Sequence, residues 1–449
     1  ISTPLDSPAW TPLSARLELT SGAKPRVLHS FAAPGDADRT MLPVGAISGQ
    51  AEGAPVFSLE NVRPGTILVV DDAAQADPRE AAARGAGALL VASLESYNVD
   101  PSGRERHLDA IQYRHTQRAS TIPVLQISRR SFASIQAAAA GDPAARLSVT
   151  AAVRTDERAL RTLVATIVGK DRPMECVVTV AHVQEPGAVD NASGVGGIAE
   201  AACTLAALLE LAAPPFERPS RSVVFLFGEE MDEARIWLDA AKRTTVAAVS
   251  ADMIGASREA TGAVPLLERA PDPGAVRPLL PDQHTAWGQA KIEFAELRPS
   301  GVNVVVRTAL ADVGALAKGW STAENPYEGG SDHDVFLGKD VPAALLWHFT
   351  DFAYHTSLDR IAHVDPEELR RMSCTVAAAV LALADPRPGD LERYLRTNLL
   401  EKKLRVAAAR DAKDAELAEQ WNTWSESVRQ WFRRECLRLV PEETKKKKE

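Results

Sequence analysis

AHVQEPGAVDNASG, Ala181–Gly194, is the most informative stretch of this chain. The apolar run before it, Val177–Ala181, has the composition of a buried strand and stops at His182. A short Pro/Gly loop follows, and Asn191-Ala-Ser-Gly opens an Ala-rich helix over Gly194–Leu211. Open α/β sheets place ligand sites in the loops that leave the carboxyl ends of their strands. This loop carries an imidazole, His182, and a carboxylate, Asp190, both common zinc ligands.

The same grammar recurs from Thr162 onward. Leu163–Gly169 and Cys176–His182 read as strands. Arg221–Glu230 reads as a strand ending in Glu229 and Glu230, and Val246–Gly255 as one ending near Asp252. Val302–Thr308 and Ala343–Phe349 read as two more, the last followed by a loop with His355. Strands alternating with helices predict an α/β fold, a mostly parallel, mixed sheet sandwiched by helices. His182, Asp190, Glu230, Asp252 and His355 thus stand at or just beyond strand ends. Two imidazoles and three carboxylates suit two zinc ions sharing one carboxylate. Two metals about 3.5–4 Å apart activate a water and polarise a carbonyl together. Amide hydrolysis also needs a base, and Glu229-Glu230 offers a ligand and a base side by side. Adjacent strand residues point to opposite faces, so two useful glutamates require that the strand has already given way to a loop.

The five elements, in order, resemble the di-zinc aminopeptidase family of metallo-exopeptidases, relatives of glutamate carboxypeptidase II and the glutaminyl cyclases. "Ala-His-Val-Gln…Gly-Ala-Val-Asp-Asn-Ala-Ser-Gly" resembles the family's "AHxD…GAxDNASG", and "Phe-Gly-Glu-Glu" its "GEE". "Ser-Ala-Asp-Met-Ile-Gly" resembles "xxDMIG", "Gly-Gly-Ser-Asp-His-Asp-Val-Phe-Leu" resembles "GSDHxPF", and "Tyr-His-Thr-Ser-Leu-Asp" resembles "YHTxxDT". The resemblance spans roughly Arg161–Ile361. It implies two Zn2+ per chain. His182 and Asp252 would bind one, Glu230 and His355 the other, Asp190 would bridge, and Glu229 would be the general base.

The chain departs from the family at Gln184, where the family has an Asp that accepts the first histidine's ring N–H. A Gln carbonyl can accept that bond without adding charge, or Glu185 substitutes. The loop from His182 to Asp190 is short, which predicts an open rim. Asp332 and His333 are expected to shape their loop rather than ligate. Tyr327 stands where some relatives carry a tyrosine that donates to the oxyanion. His284 and Trp287, in the insertion Ala256–Gly301, are candidates for a pocket lining or for packing.

Before Thr155 the order differs. Ile1–Pro12 reads as a loose lead-in, Glu95–Ser120 as a polar surface loop, and His29, His107 and His115 as isolated histidines. "Pro-Gly-Thr-Ile-Leu-Val-Val", "Ala-Arg-Gly-Ala-Gly-Ala-Leu-Leu-Val" and "Ile-Pro-Val-Leu-Gln-Ile-Ser" resemble the ordered strands of the protease-associated domain. The resemblance implies a module that gates access and does no chemistry. The expected organisation is a β-rich protease-associated-like domain over 1–155, a zinc peptidase domain over 156–384 and a helical extension over 385–449. In that extension Trp421, Trp424 and Trp431 fall near one helix face.

A net charge of −9 disfavours nucleic acid as a partner. No apolar run reads as long enough for a membrane span. The four cysteines, Cys176, Cys203, Cys374 and Cys436, have no CxxC or finger spacing and read as scattered buried thiols. The start at Ile1 rather than Met reads as processed, with a secreted, periplasmic or cell-envelope location. The reading is a zinc aminopeptidase acting on peptides, with no oligomeric state assigned. A carboxypeptidase or dipeptidase would share the centre but needs a cation for the substrate carboxylate, with Arg235, Arg307 and Lys318 as candidates. A glutaminyl cyclase using one zinc, a small-molecule amidohydrolase and a catalytically weak binding protein also fit these residues.

Overall fold

The computed structural model describes residues 1–5, 7–22, 24–33, 36–75, 77–115, 120–211, 217–240, 242–277 and 292–437. His284, Trp287 and the terminal KKKKE lie outside the described residues.

The first strands are β1 (Ser2–Pro4), β2 (Ala9–Thr20), β3 (Pro25–Phe31), β4 (Gly49–Val56), β5 (Thr66–Val70), β6 (Ala86–Val91), β7 (Val124–Gln126) and β8 (Arg146–Asp156). All but β1 form one seven-stranded sheet in the order β3-β2-β8-β4-β5-β6-β7. It is antiparallel from β3 to β4 and parallel from β4 to β7. Helices α1 (Pro78–Ala83) and α2 (Arg129–Gly141) accompany it, and Phe132 and Ile135 of α2 join a core with Leu17, Ile67, Leu90, Leu125 and Leu147. The expected loose lead-in is in fact strand. Ser2–Pro4 pairs with β9 (Ala159–Arg161), and Ala9–Pro12 begins β2 along β8. Its Pro residues fall where the chain is paired on one side only, Ser2–Pro4 with β9 and Ala9–Pro12 with β8, and missing N–H donors are tolerated there.

The second sheet contains β10 (Leu163–Ile167), β11 (Arg172–His182), β12 (Arg221–Gly228), β13 (Thr244–Ala251), β14 (Val264–Glu268), β15 (Ala323–Asn325) and β16 (Ala343–Phe349). Its order is β10-β12-β11-β13-β16-β14-β15. The central strands β12, β11, β13 and β16 are parallel, and β10 and β14 run antiparallel to their neighbours β12 and β16. Alternation along the strands splits the apolar residues between two faces. Val177, Phe225 and Val249 pack against α3 (Ala192–Glu210), α6 (Val302–Leu316) and α8 (Pro366–Ala384); α4 (Asp232–Ala240) and α5 (Arg258–Thr261) lie between α3 and α6 in chain order. Val178, Leu226 and Ala248 pack with Trp237 of α4 and Phe336 of α7 (His333–Leu337). The sandwich matches the fold class expected from the sequence.

Val302–Thr308 corrects one expectation: it is helix, not strand. Val302, Val304, Val305 and Val306 are all buried. Burying a valine is worth roughly 1.5–3 kcal/mol, against a helix-propensity penalty of no more than about 0.7 kcal/mol. An apolar run buried all round carries no period, so strand and helix look alike in it. Strand β14, inside the insertion Ala256–Gly301, escapes a pattern-based reading for the same reason.

Helix α3 is long and apolar enough by length and composition to cross a membrane, contrary to the expectation from the apolar runs. In the fold its Ile198, Ala201 and Leu205 are core residues. Two of the four cysteines, Cys203 and Cys374, are exposed rather than buried. His29 is buried, with the Ser128 N–H 3.3 Å from its Nε2. Helices α9 (Leu391–Asp411) and α10 (Ala415–Leu437) share the core of α6 and α8 through Tyr394, Trp421, Trp424 and Phe432. Arg269, fully buried, ties them to the sheet. Its guanidinium meets Asp272 at 2.6 Å, Glu324 at 2.7 Å and Glu401 of α9 at 2.6 Å.

Candidate metal centre

The parallel strands β11, β12 and β13 end side by side, His182 pairing in register with Gly228. Their carboxyl ends therefore deliver His182, Glu229-Glu230 and Asp252 to one edge, as that topology requires. Strand β12 stops at Gly228, so both glutamates lie in the loop before α4.

The Asp190-Asn-Ala-Ser-Gly run is built by hydrogen bonds. The Asn191 carbonyl oxygen caps α3 by accepting from the Gly194 N–H at 3.0 Å, and also accepts from the Met253 N–H at 3.1 Å. Its amide donates to the Ala251 carbonyl at 3.2 Å. One side chain thereby fixes the start of α3 against the turn carrying Asp252. A Cβ at Gly194 would sit 2.1 Å from Asn191 Oδ1 and 2.2 Å from the Ala251 oxygen, which explains the glycine. Asp359 accepts from the Val189 and Asp190 N–H groups at 2.7 and 2.8 Å, setting the backbone of Asp190. A Cβ at Gly187 would lie 2.0 Å from that carboxylate.

Three overlapping groups of donor atoms result, each within 4.8 Å: His182, Asp190 and Asp252; Glu185, Asp190 and His355; and His182, Glu185 and Glu230. His182 Nε2 lies 3.3 Å from Asp190 Oδ1 and 3.6 Å from Asp252 Oδ1. His355 Nε2 lies 3.1 Å from both Asp190 Oδ2 and Glu185 Oε1. Asp190 thus reaches one imidazole with each oxygen. The structure therefore gathers His182, Asp190, Glu230, Asp252 and His355, and adds Glu185. The short loop turns Glu185 inward.

The expected partner of His182 is corrected. Gln184 serves Glu230, accepting from its backbone N–H at 3.0 Å and donating to its carboxylate at 3.3 Å. His182 Nδ1 instead meets Asp332 Oδ2 at 3.2 Å, while Asp332 Oδ1 accepts from the Met231 N–H at 2.8 Å. Asp332 is fully buried and does more than shape its loop. It lies 150 residues from His182, beyond the reach of local pattern. Its neighbour His333 does hold the loop, through Glu268 at 3.0 Å. The Tyr327 hydroxyl donates to Asp334 at 2.9 Å.

Electrostatics match a cation site. Burial pushes Glu230 up to about 9, with Glu185, Asp252 and Asp332 adding to the shift. Burial likewise pushes Asp252 up to about 7, aided by Asp190 and Asp332. Burial opposes charging His182 and His355, yet the carboxylates around them outweigh it and hold both well above the ordinary imidazole range. So many acids crowded against two imidazoles are neutralised by protons or by metal. Asp252 Oδ1 is buried with no hydrogen-bond donor, an acceptor that a cation would satisfy. The donor set, imidazole plus carboxylate, fits zinc. Glu229, at the exposed edge, is raised by desolvation and by Asp232, the direction that suits a base.

His355 has φ +55°, a left-handed backbone that costs a non-glycine residue about 1–3 kcal/mol and persists only where the surroundings enforce it. Tyr354 stacks on its ring at 3.8 Å. From the connection between β6 and β7, the Tyr113 N–H and the Gln112 amide both donate to the His355 carbonyl, at 2.6 and 2.8 Å. Part of Glu95–Ser120 is therefore not a surface loop: Asn98, Asp100, Ile111 and Gln112 are buried. A cavity of about 510 Å³ opens beside His355, walled by Tyr97, Tyr113, Arg114, Val91 and Glu95.

Residues 162–380 match the model of Peptidase family M28. No curated protein matches the chain. Among solved structures, a Peptidase M28 precursor from Shewanella amazonensis is similar at 17% identity, covering 86% of this chain and 84% of that one, with TM-score 0.53. A putative peptidase from Clostridium acetobutylicum is similar at 13% identity over 86% and 71%, TM-score 0.53. A zinc aminopeptidase from Bacillus subtilis is similar at 17% identity over 85% and 86%, TM-score 0.50. At these identities the likeness establishes the fold, and it extends beyond residues 162–380.

Proposed function

We propose that the chain, whose residues 162–380 match the model of Peptidase family M28, is a zinc-dependent exopeptidase, an aminopeptidase, with two zinc ions per chain. The observation that carries this reading is the pair of donor groups sharing Asp190, one with His182 and Asp252 and the other with Glu185 and His355. His182, Asp190 and Asp252 would hold one ion. His355, Asp190 and a glutamate would hold the other, with Glu230 from the family pattern and Glu185 from its contact with His355. Bound zinc supplies Lewis acidity, polarising a carbonyl and acidifying a water.

The chain's own residues do the rest. Glu229 takes the proton of the attacking water and delivers it to the leaving amine. Asp332 fixes the His182 tautomer so that Nε2 is the free donor. Tyr97, Tyr113 and Val91 offer a wall for a substrate side chain beside His355. The β-rich N-terminal domain fits a protease-associated-like module, and a secreted or cell-envelope location belongs to the same reading. Of the three cations the carboxypeptidase reading could use, Arg307 is paired with Glu324 and Glu401 and Arg235 with Asp232, which leaves Lys318 to that reading.

The test is metal analysis plus turnover of zinc-loaded protein on aminoacyl, carboxypeptidase and N-terminal Gln substrates. About two equivalents and release of N-terminal residues are expected. Full activity with one tight equivalent would support a cyclase-like site and overturn the reading.

A further inference from the structure

We propose that the N-terminal domain is a working part of the metal centre: Gln112 and its neighbours hold the His355 loop in its ligating conformation. The proposal rests on the two-metal reading above.

A band of hydrogen bonds joins one N-terminal segment to the peptidase-domain loop Phe352–Ser357. The Asn98 amide donates to the carbonyls of Phe352 and Tyr354, each at 2.9 Å. Gln112 and the Tyr113 N–H share the His355 carbonyl. The Ile111 N–H donates to Ser357 Oγ at 3.0 Å, and the Ser357 N–H returns a bond to the Ile111 carbonyl at 2.9 Å. Gln112 also forms an antiparallel bridge with Thr356. Rings reinforce the clamp: Tyr113 meets the His355 ring edge-on at 5.8 Å, and Tyr97 packs against Tyr354 at 5.5 Å.

These donors converge on the residue whose left-handed backbone needs enforcement. The peptide carbonyl of His355 is fixed from outside its own domain, and with it the ring's approach to Asp190. Gln112 is itself held, its carbonyl accepting from the Glu95 N–H at 3.2 Å. His182, Asp190 and Asp252 have no comparable debt, since their supports Asp332, Asn191, Asp359 and Ser331 all come from the peptidase domain. The domain is thus a positioning element for one metal and indifferent to the other.

The test is stepwise titration of metal-free full-length protein with zinc, repeated with cobalt(II) to read its visible spectrum, for wild type and Gln112→Met. Met keeps the length and removes the donor. The first equivalent should bind within about twofold of wild type, and the second about 10–100-fold more weakly, the range for partners that orient a ligand. The cobalt spectrum of the second equivalent should change while that of the first does not. Asn98→Ala should repeat the pattern if Gln112→Met folds poorly. Ile135→Val, which loosens the N-terminal core away from the clamp, should lower thermal stability and leave both equivalents intact. Unchanged affinities in Gln112→Met and Asn98→Ala, or equal weakening of both equivalents, would overturn the proposal alone. A wild type that binds one equivalent would overturn the two-metal reading and this proposal together.

Discussion

Asp332→Asn asks whether the carboxylate found 150 residues from His182 tunes the centre. Asp332 accepts two bonds, from the Met231 N–H at 2.8 Å and from His182 Nδ1 at 3.2 Å. Asparagine has one acceptor oxygen and an NH2 that only donates. It can serve one donor and must present a donor to the other. If the Met231 bond survives, His182 moves its proton to Nε2, the nitrogen facing Asp190 and Asp252, and blocks the metal. Two full charges at 3.2 Å in an effective dielectric of about 20 would interact by about 5 kcal/mol. A neutral imidazole N–H carries a fraction of that charge, which leaves about 1.5–3 kcal/mol. That corresponds to a loss of roughly 10–100-fold in zinc affinity, the measured range for such partners. The assay is a competition titration against a chelator, with circular dichroism to confirm folding. Gln184→Asp, which restores the family residue, should not raise affinity, because position 184 contacts Glu230 and a second carboxylate there repels it. Wild-type affinity in Asp332→Asn, or tighter zinc binding in Gln184→Asp, would contradict this account of the centre.

Further outcomes are expected. Glu229→Gln should retain zinc and lose turnover by about 10²–10⁴-fold, the usual worth of a positioned base; Glu230→Gln should lose metal affinity as well, with partial recovery in excess zinc. If zinc analysis finds the losses exchanged, the two roles are exchanged. Metal-free protein should lose stability as pH rises from about 5 to 9: Asp252, at about 7, and Glu230, at about 9, keep protons that the unfolded chain gives up near 4, so the native state holds more protons throughout that window. Melting temperature against pH measures this, and zinc should stabilise more at pH 8 than at pH 6 because protons compete for the same atoms. Arg269→Met should strand the buried acids Asp272 and Glu401 and cost about 3–5 kcal/mol in urea unfolding; a change below about 1 kcal/mol would mean the network is solvated.

The local parts of this protein are legible in its sequence. An apolar run that stops at His182, a glutamate pair closing another, Asp252 and His355 after two more: each is a strand followed by its own loop, and a strand's carboxyl end is readable from its neighbours. Asp190-Asn-Ala-Ser-Gly is legible for the same reason, because its capping bonds close within a few residues. Whatever depends on the path of the chain between elements is settled by the tertiary fold alone. Val302–Val306 gives strand and helix the same apolar signal, and only burial from all sides by the sheet and α8 selects helix. Asp332 becomes the partner of His182 because the loop after β15 returns over the ends of β11 and β12, and Gln184 is free to serve Glu230 instead. The polar stretch before residue 115 reads as surface because its amides are hydrophilic. Part of it, Asn98 and Ile111–Gln112, is buried because those amides find carbonyls in the His355 loop, 243 residues away for Gln112 and 254 for Asn98. Polarity records that a group needs a hydrogen bond, and only the fold decides whether water or a distant segment of the chain supplies it.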